Sequence, residues 1–263
     1  MAPDIAVGMA GAPGRQGATI SRGRTEPVPR GAYRHNPTRG GYDPMTAIVG
    51  GFWDSMLAEG RRWWITANSD SHIHWSEGGL DFWPGEFNKT YVFAEKTHED
   101  ILAGIRAGKI FVTSGDLIIE LFVTVRQGRR KAALGETLMA STKRSIDVEV
   151  KFRDPEQANG SGNNPSVSRL DIIVGQVVGY HDDASTDSHQ HVKVVKRFER
   201  AELKRRGDQF IARYRLPEPD SPLYIRVRGT NTEHLEPQPD EIGEDPWSDL
   251  WFYSNTIFVE LKN

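Results

Sequence analysis

The sequence predicts an α/β segment followed by an all-β region, with the change of character near residue 115. Three observations carry that prediction. Residues 4–67 read as strand, long loop, helix and strand, the order of a parallel crossover unit. The short aromatic strand Trp63-Trp64-Ile65 then runs into a stretch holding Asp70, His72 and His74, where α/β sites normally form. From residue 116 seven runs of β-forming residues, separated by turns and without a convincing helix, point to an antiparallel sandwich. The chain therefore divides into an α/β portion, 1–115, and a β-sandwich, 116–263.

Residues 4–10, Asp-Ile-Ala-Val-Gly-Met-Ala, make a small strand of buried type, and Gly11 to Gly17 a turn-rich loop. Residues 17–44 are rich in Gly, Pro and Arg, with Arg22, Arg24, Arg30, Arg34 and Arg39 around His35. So long a loop is a lid over a site or a solubilising connection. Asp43 then Pro44 read as helix N-cap and first-turn proline, Ile48, Phe52 and Met56 as an i, i+4 stripe, and Gly60 as the stop. Strand 62–67 comes next, then an aromatic and acidic loop over 75–89, with Trp75, Phe82 and Trp83 either walling a site or plugging an apolar end.

Thr90 to Ala94 is a strand. Thr97 caps a helix with Asp100 at the capping-box position, an exposed His98, a buried face of Ile101, Leu102 and Ile105, and a C-terminal Gly108. Ile110 to Thr113 returns as a strand. The seven later runs are 117–125, 146–152, 170–180, 192–200, 209–216, 223–228 and 252–261, the third with a hairpin-like Gly175-Gln176 centre. Loop 154–168 is rich in Asn, Gly, Ser and Pro. Loop 233–249 is acidic, without the ligand spacing of a calcium loop.

A net charge of -3 over 263 residues and a pI near 6.3 give no electrostatic argument for nucleic acid or an anionic membrane. The absence of cysteine excludes disulfides and thiolate zinc sites. No apolar run approaches the roughly 20 residues of a membrane span, and Met1-Ala2-Pro3-Asp4-Ile5 lacks the order of a signal peptide. The expectation is a soluble, unexported chain.

Asp70, His72 and His74 would point the same way along an extended segment. A carboxylate with two imidazoles suits a divalent metal such as Zn, Mn or Fe. The plainer reading is a surface loop that holds two histidines. Arg15 and His35 are the candidate contacts for an anionic substrate, since a guanidinium pairs readily with phosphate or carboxylate. His189-Gln190-His191, near Asp182, Asp183 and Asp187, is a second His-x-His inside the expected sandwich and is assigned no function.

Asn68-Ser69-Asp70-Ser71-His72 resembles the last metal motif of the PHP (polymerase and histidinol phosphatase) superfamily, an Asp-x-His at the end of the final barrel strand. The stretch from Thr90 to Gly115 is similar to that superfamily's carbaryl-hydrolase-like (CehA/McbA) branch. There a strand, here Thr90 to Ala94, precedes a helix ending in Arg106-Ala107-Gly108 and a turn Phe111-Val112-Thr113-Ser114-Gly115 into a β domain. The ending Trp251-Phe252-Tyr253-Ser254-Asn255-Thr256 resembles the branch too, with Thr256 where it often has proline. Arg15 stands where it often has histidine.

The resemblance implies a partial PHP-type (β/α) barrel before the sandwich, and a metal-dependent hydrolase acting on a phosphoester, ester or carbamate. It carries over only Asp70 and His72 as ligands; His74 and His35 rest on proximity. The family's other ligands lie on upstream strands that this chain does not contain. The expectation is a truncated barrel, or one completed by a second chain, with open edges that promote self-association and with this chain alone inactive. The alternative is a non-catalytic β-sandwich binding module with a remnant barrel segment, whose Trp247, Trp251 and Tyr253 contact a partner.

Overall fold

The computed structural model describes residues 5–14, 31–71, 82–183 and 185–262. Arg15, His72 and His74 lie outside them, as do Arg22, Arg24, Arg30 and Trp75.

Strands β1 (Gly8–Ala12) and β2 (Trp64–Ala67) pair in parallel, and two short helices, α1 (Pro44–Ala47) and α2 (Phe52–Ala58), lie between them in the chain. Asp43 caps α1 by accepting a hydrogen bond from the Met45 amide, as the Asp-Pro signal predicts. The single helix expected up to Gly60 is broken. Ile48 is extended and Gly50 takes φ +84°, so the chain turns before α2 starts at Phe52. β3 (Asn88–Val92), α3 (His98–Arg106) and β4 (Ile110–Ser114) come next. Thr97 caps α3 through the Asp100 amide. The expected buried face of α3 is not buried: Ile101 and Leu102 are exposed, and the helix packs through Gly104, where an added Cβ would stand 2.8 Å from Val92.

The remaining strands are β5 (Glu120–Gln127), β6 (Arg130–Ala133), β7 (Thr137–Ala140), β8 (Ile146–Arg153), β9 (Arg169–Gln176) and β10 (Val192–Glu199). After them come β11 (Lys204–Arg206), β12 (Gln209–Leu216), β13 (Leu223–Thr230), β14 (Trp251–Ser254) and β15 (Ile257–Leu261). Two sheets pack face to face. One runs β11-β12-β8-β5-β6; the other runs β10-β9-β13-β14-β4-β3, with β15 and β7 attached beside β13. All pairings in these two sheets are antiparallel except β15 with β7. Leu121, Val123 and Val150 from the first sheet meet Ile172, Ile225 and Phe252 from the second in one core, and Phe152 lies 6.2 Å from Phe252. β3 and β4, on the barrel side of the sequence division, thus hydrogen-bond into the same sheet as strands after residue 116.

Two other expected strands differ. The run at 170–180 stops at Gln176 with no hairpin at Gly175, because that glycine lets the Tyr224 ring lie against the strand; a Cβ would fall 2.1 Å from its Cζ. The run at 252–261 is interrupted at Asn255 and Thr256.

β5 and β8 alternate between buried and more exposed positions, as a sheet with one wet face should. β13 is buried at every position. Its second face is covered by the α/β segment, making a third layer in which Trp53, Leu57, Trp64 and Ile65 pack on Tyr224, Trp251 and Tyr253. That face is charged as well as apolar. Asp54 of α2, fully buried, accepts hydrogen bonds from Arg226 Nε at 2.9 Å and Nη2 at 2.7 Å, from the Tyr224 hydroxyl at 3.0 Å and from the Gly50 amide at 2.7 Å. Asp171 pairs similarly with Arg169 and Arg228. The Asp54–Arg226 pair fixes α2 on the sandwich, while the Asp171 pairs join β9 to β13 within the sheet. No helix among the described residues is long and apolar enough to cross a membrane.

Candidate functional site

The parallel register, Gly8 opposite Trp64 through Ala12 opposite Ala67, brings the carboxyl ends of β1 and β2 side by side. The loops leaving them touch. Gly14 takes φ +57°, and a Cβ there would lie 2.3 Å from the Ser69 carbonyl, so only glycine allows the approach.

β2 ends at Ala67, three residues before Asp70. The Asn68 side chain accepts the Asp70 amide at 3.1 Å, and Ser69 Oγ accepts the Ser71 amide at 3.3 Å. Asp70 itself is left-handed, φ +47°, an uncommon state for a side-chain-bearing residue. The extended alternation that would align residues 70, 72 and 74 therefore stops before Asp70. The site is a tight turn at a strand end rather than a continued strand.

Asn88, missed in the sequence, supports this turn from β3. It is buried, donates to the Asn68 carbonyl at 3.2 Å, and its Oδ1 has no hydrogen-bond partner among the described residues. Ser71 Oγ is also enclosed and has no hydrogen-bond partner among the described residues. A cleft of about 470 Å³ opens here, lined by Asn68, Ser69, Asn88, Lys89 and Tyr91 among others. Lys89 is held by Asp116, which also has positive φ. Burial and the Asp116 carboxylate raise the Tyr91 hydroxyl above its usual range.

Of the predicted site residues, Asp70 is the one metal candidate the described residues include. His35 is exposed in the turn after residues 31–34, and none of its bonds reaches the Asp70 turn. Arg39, from the basic loop, donates to the Pro237 carbonyl instead. His98 is exposed, as expected. Trp251 and Tyr253 are fully buried and Trp247 packs edge-on against Phe82 and Phe87, so these aromatics are core. Phe82 belongs to the same cluster, while Trp83 points outward.

Among the described residues one cluster offers three metal-type ligands: Asp240, Glu244 and Asp249, with ligand oxygens within 4.8 Å of one another. Burial, opposed by the Thr38 hydroxyl and the Gly40 and Gly41 amides, pushes the Asp240 carboxyl up to about 6. Burial first, then the charges of Asp240 and Glu244, push Asp249 up to about 8. No family model, no curated protein and no solved structure matches this chain.

Proposed function

We propose that this chain carries the Asp-x-His end of a metal-dependent hydrolase of PHP type. Asp70, His72 and His74 would hold a divalent ion such as Zn, Mn or Fe. Arg15 and His35 would meet the anionic part of a phosphoester, ester or carbamate substrate.

The observation that carries the reading is the position of Asp70. It sits in a strained turn at the carboxyl end of a parallel strand, where α/β folds form their sites. The residues present fit such an ion: the cleft beside the turn adds the Asn88 Oδ1, which has no hydrogen-bond partner among the described residues and is suitable for binding an ion or its water. An ion bound there would activate a water and polarise the scissile oxygen. Within this chain Asn68 and Asn88 orient the turn, and Lys89, tied to Asp116, edges the cleft.

The second reading, a non-catalytic module, is favoured by one observation. The outer edge of β2 is already sealed by side chains: Asn255 exchanges two hydrogen bonds with Ile65, and Thr90 exchanges two with Ala67. A remnant segment would be completed in this way.

Elemental analysis of the purified chain, wild type against Asp70→Ala with His72→Ala, tests the proposal. Near-stoichiometric Zn, Mn or Fe in the wild type, lost in the double variant, is the expected result. Metal-free protein in both, when purified without chelator and titrated with each ion, would sink it in favour of the module.

A further inference from the structure

We propose that one end of the sandwich, formed by the turn between β5 and β6 and the turn between β7 and β8, is a docking surface for an anionic phospholipid bilayer. The inference is independent of the proposed hydrolase.

The net charge of -3 conceals a segregated distribution. Residues 126–144 hold six cations, Arg126, Arg129, Arg130, Lys131, Lys143 and Arg144, against one acid, Glu136. All six cations are exposed. Glu136 is engaged elsewhere, with Lys109 at 3.9 Å and the Ala133 amide at 2.9 Å. Asp147, opposite Arg126 across the strands, is taken by Arg215 Nε at 2.8 Å. Among the described residues none of the six cations forms an ion pair.

The fold holds these charges together instead of letting them separate. Arg126 and Lys131 stand directly opposite each other on β5 and β6, a like-charge pairing that costs stability. Arg144, from the second turn, lies over the first: a Cβ on Gly128 would stand 3.5 Å from its Nη1. Gln127 is the clamp. Its buried side chain donates from Nε2 to the Ser141 carbonyl at 2.9 Å and the Arg144 carbonyl at 2.7 Å, and accepts the Ser141 amide at 2.6 Å. Arg130 Nη1 adds a bond to the Met139 carbonyl at 3.0 Å. The two turns thus form one cationic surface, and an external anion is what relieves its repulsion.

The chemistry of the surface selects the partner. A protein partner needs apolar or aromatic anchors at the centre of the contact, and a single nucleic-acid strand needs aromatic faces to stack on. Residues 126–145 contain no aromatic side chain, and Met139 is the one large apolar residue exposed there. A nucleic-acid duplex is a rod, and a rod laid along the outer face of β5 and β8 would meet Asp147 and Glu149. A projecting end touches few phosphates of a rod but many headgroups of a plane. Clusters of about 4–8 Lys or Arg are drawn to an anionic leaflet, and such adsorption needs neither shape complementarity nor an apolar core.

The placement suits a peripheral contact. β8 has the patch beside Asp147 near its start, and Arg153 at its end borders the groove that holds Lys89 and Tyr91. The eight residues of the strand put these two places about 24 Å apart. A bilayer against the patch would leave the cleft beside Asp70 uncovered.

Vesicle co-sedimentation of the full chain tests the proposal. Vesicles of phosphatidylcholine and phosphatidylserine, two to one, should bind the chain at low salt, and phosphatidylcholine alone should not. Binding should vanish in about 1 M salt, where the screening length is about 3 Å. Each Lys or Arg at an anionic surface strengthens binding about fivefold, so Arg129→Gln, Lys131→Gln and Lys143→Gln together should weaken it about a hundredfold. Among the described residues these three side chains make no hydrogen bond, so the variant should keep the wild-type circular dichroism spectrum and melting temperature. Lys204→Gln, Arg205→Gln and Arg206→Gln remove the same charge at the Arg153 end of the sheet and should leave vesicle binding unchanged. Asp70→Ala with His72→Ala should bind vesicles as the wild type does, which separates this surface from the hydrolase site. No binding to the mixed vesicles, undiminished binding by the folded Arg129, Lys131, Lys143 variant, an equal loss in the Lys204, Arg205, Arg206 variant, or tighter binding to a short DNA duplex at the same salt would each overturn the inference.

Discussion

Asp54 gives the sharpest test of how the α/β segment is held. It is fully buried, as is Arg226, and the two are joined by a bidentate pair with Tyr224 and Gly50 completing the shell. Truncation to alanine leaves the Arg226 guanidinium in an enclosed space with no counter-charge. Among the described residues Arg226 Nη1 already lacks a hydrogen-bond partner, and the face of Trp53 lies 4.6 Å from the guanidinium. Removing one member of a buried pair costs about 3–5 kcal/mol. That is a large share of a total stability of about 5–15 kcal/mol, and corresponds to a fall in Tm of roughly 6–20 °C at about 2–4 °C per kcal/mol. Replacing both residues, Asp54→Leu with Arg226→Met, removes the stranded charge and should recover most of the loss. Urea unfolding followed by tryptophan fluorescence measures all four corners of the cycle. If Asp54→Ala lies within about 1 kcal/mol of wild type, Arg226 must reach solvent, and the pair cannot be what fixes α2 on the sheet.

Two further outcomes are expected. Asn255→Ala deletes both hydrogen bonds to Ile65 and exposes an edge of β2, at a cost of about 1–3 kcal/mol. Faster amide exchange at Ile65 and concentration-dependent light scattering should accompany the loss; unchanged exchange would mean that the side-chain cap is dispensable. His189 is buried, its Nε2 has no hydrogen-bond partner among the described residues, and desolvation holds its pKa below the usual 6.5. The unfolded chain takes up a proton there before the folded chain does, so stability should fall as pH drops below 6.5 and level off once the folded pKa is passed. His189→Gln should flatten that part of the urea midpoint against pH, and parallel curves for the two proteins would refute the assignment.

What could be read from the sequence was local. Asp43 with Pro44 and Thr97 with Asp100 announced their helix starts because a cap is settled within three residues. β5, β8 and β12 announced themselves by alternation. β13 did not reveal its environment, because Arg226 and Arg228 at alternate positions imitate a wet face. Their partners are Asp54 and Asp171, 172 and 57 residues away. The break at Ile48–Gly51 hid inside a plausible helical stripe. Within the site Asp70 was visible as a motif residue, while Asn88 had no signal of its own, since its role is a bond to Asn68 twenty residues earlier. The acidic loop was visible too, but not its convergence on Gly40 and Gly41.

The sealed edge of β2 bears directly on the chemistry. Asn255 and Thr90 stand where a neighbouring strand would hydrogen-bond, so any further barrel strand has β1 as its available edge. Strands lie about 4.8 Å apart, which puts the carboxyl end of a strand added at β1 roughly 10 Å from β2. Backbone groups on that strand would be too far to share an ion with Asp70, so under the proposed hydrolase reading any further ligand from such a strand would have to be a long side chain reaching across β1. β1 ends in the small residues Ala10, Gly11 and Ala12, the last two already buried, and such side chains would have to pass over them. Gly11 is also crowded, for a Cβ there would meet Thr46 Oγ1 at 2.9 Å and Ile65 Cβ at 3.0 Å. A bulky residue at Gly11 would therefore separate β1 from β2 as well as close the path, and loss of metal in such a variant would report on the strand pairing before it reported on the ligands.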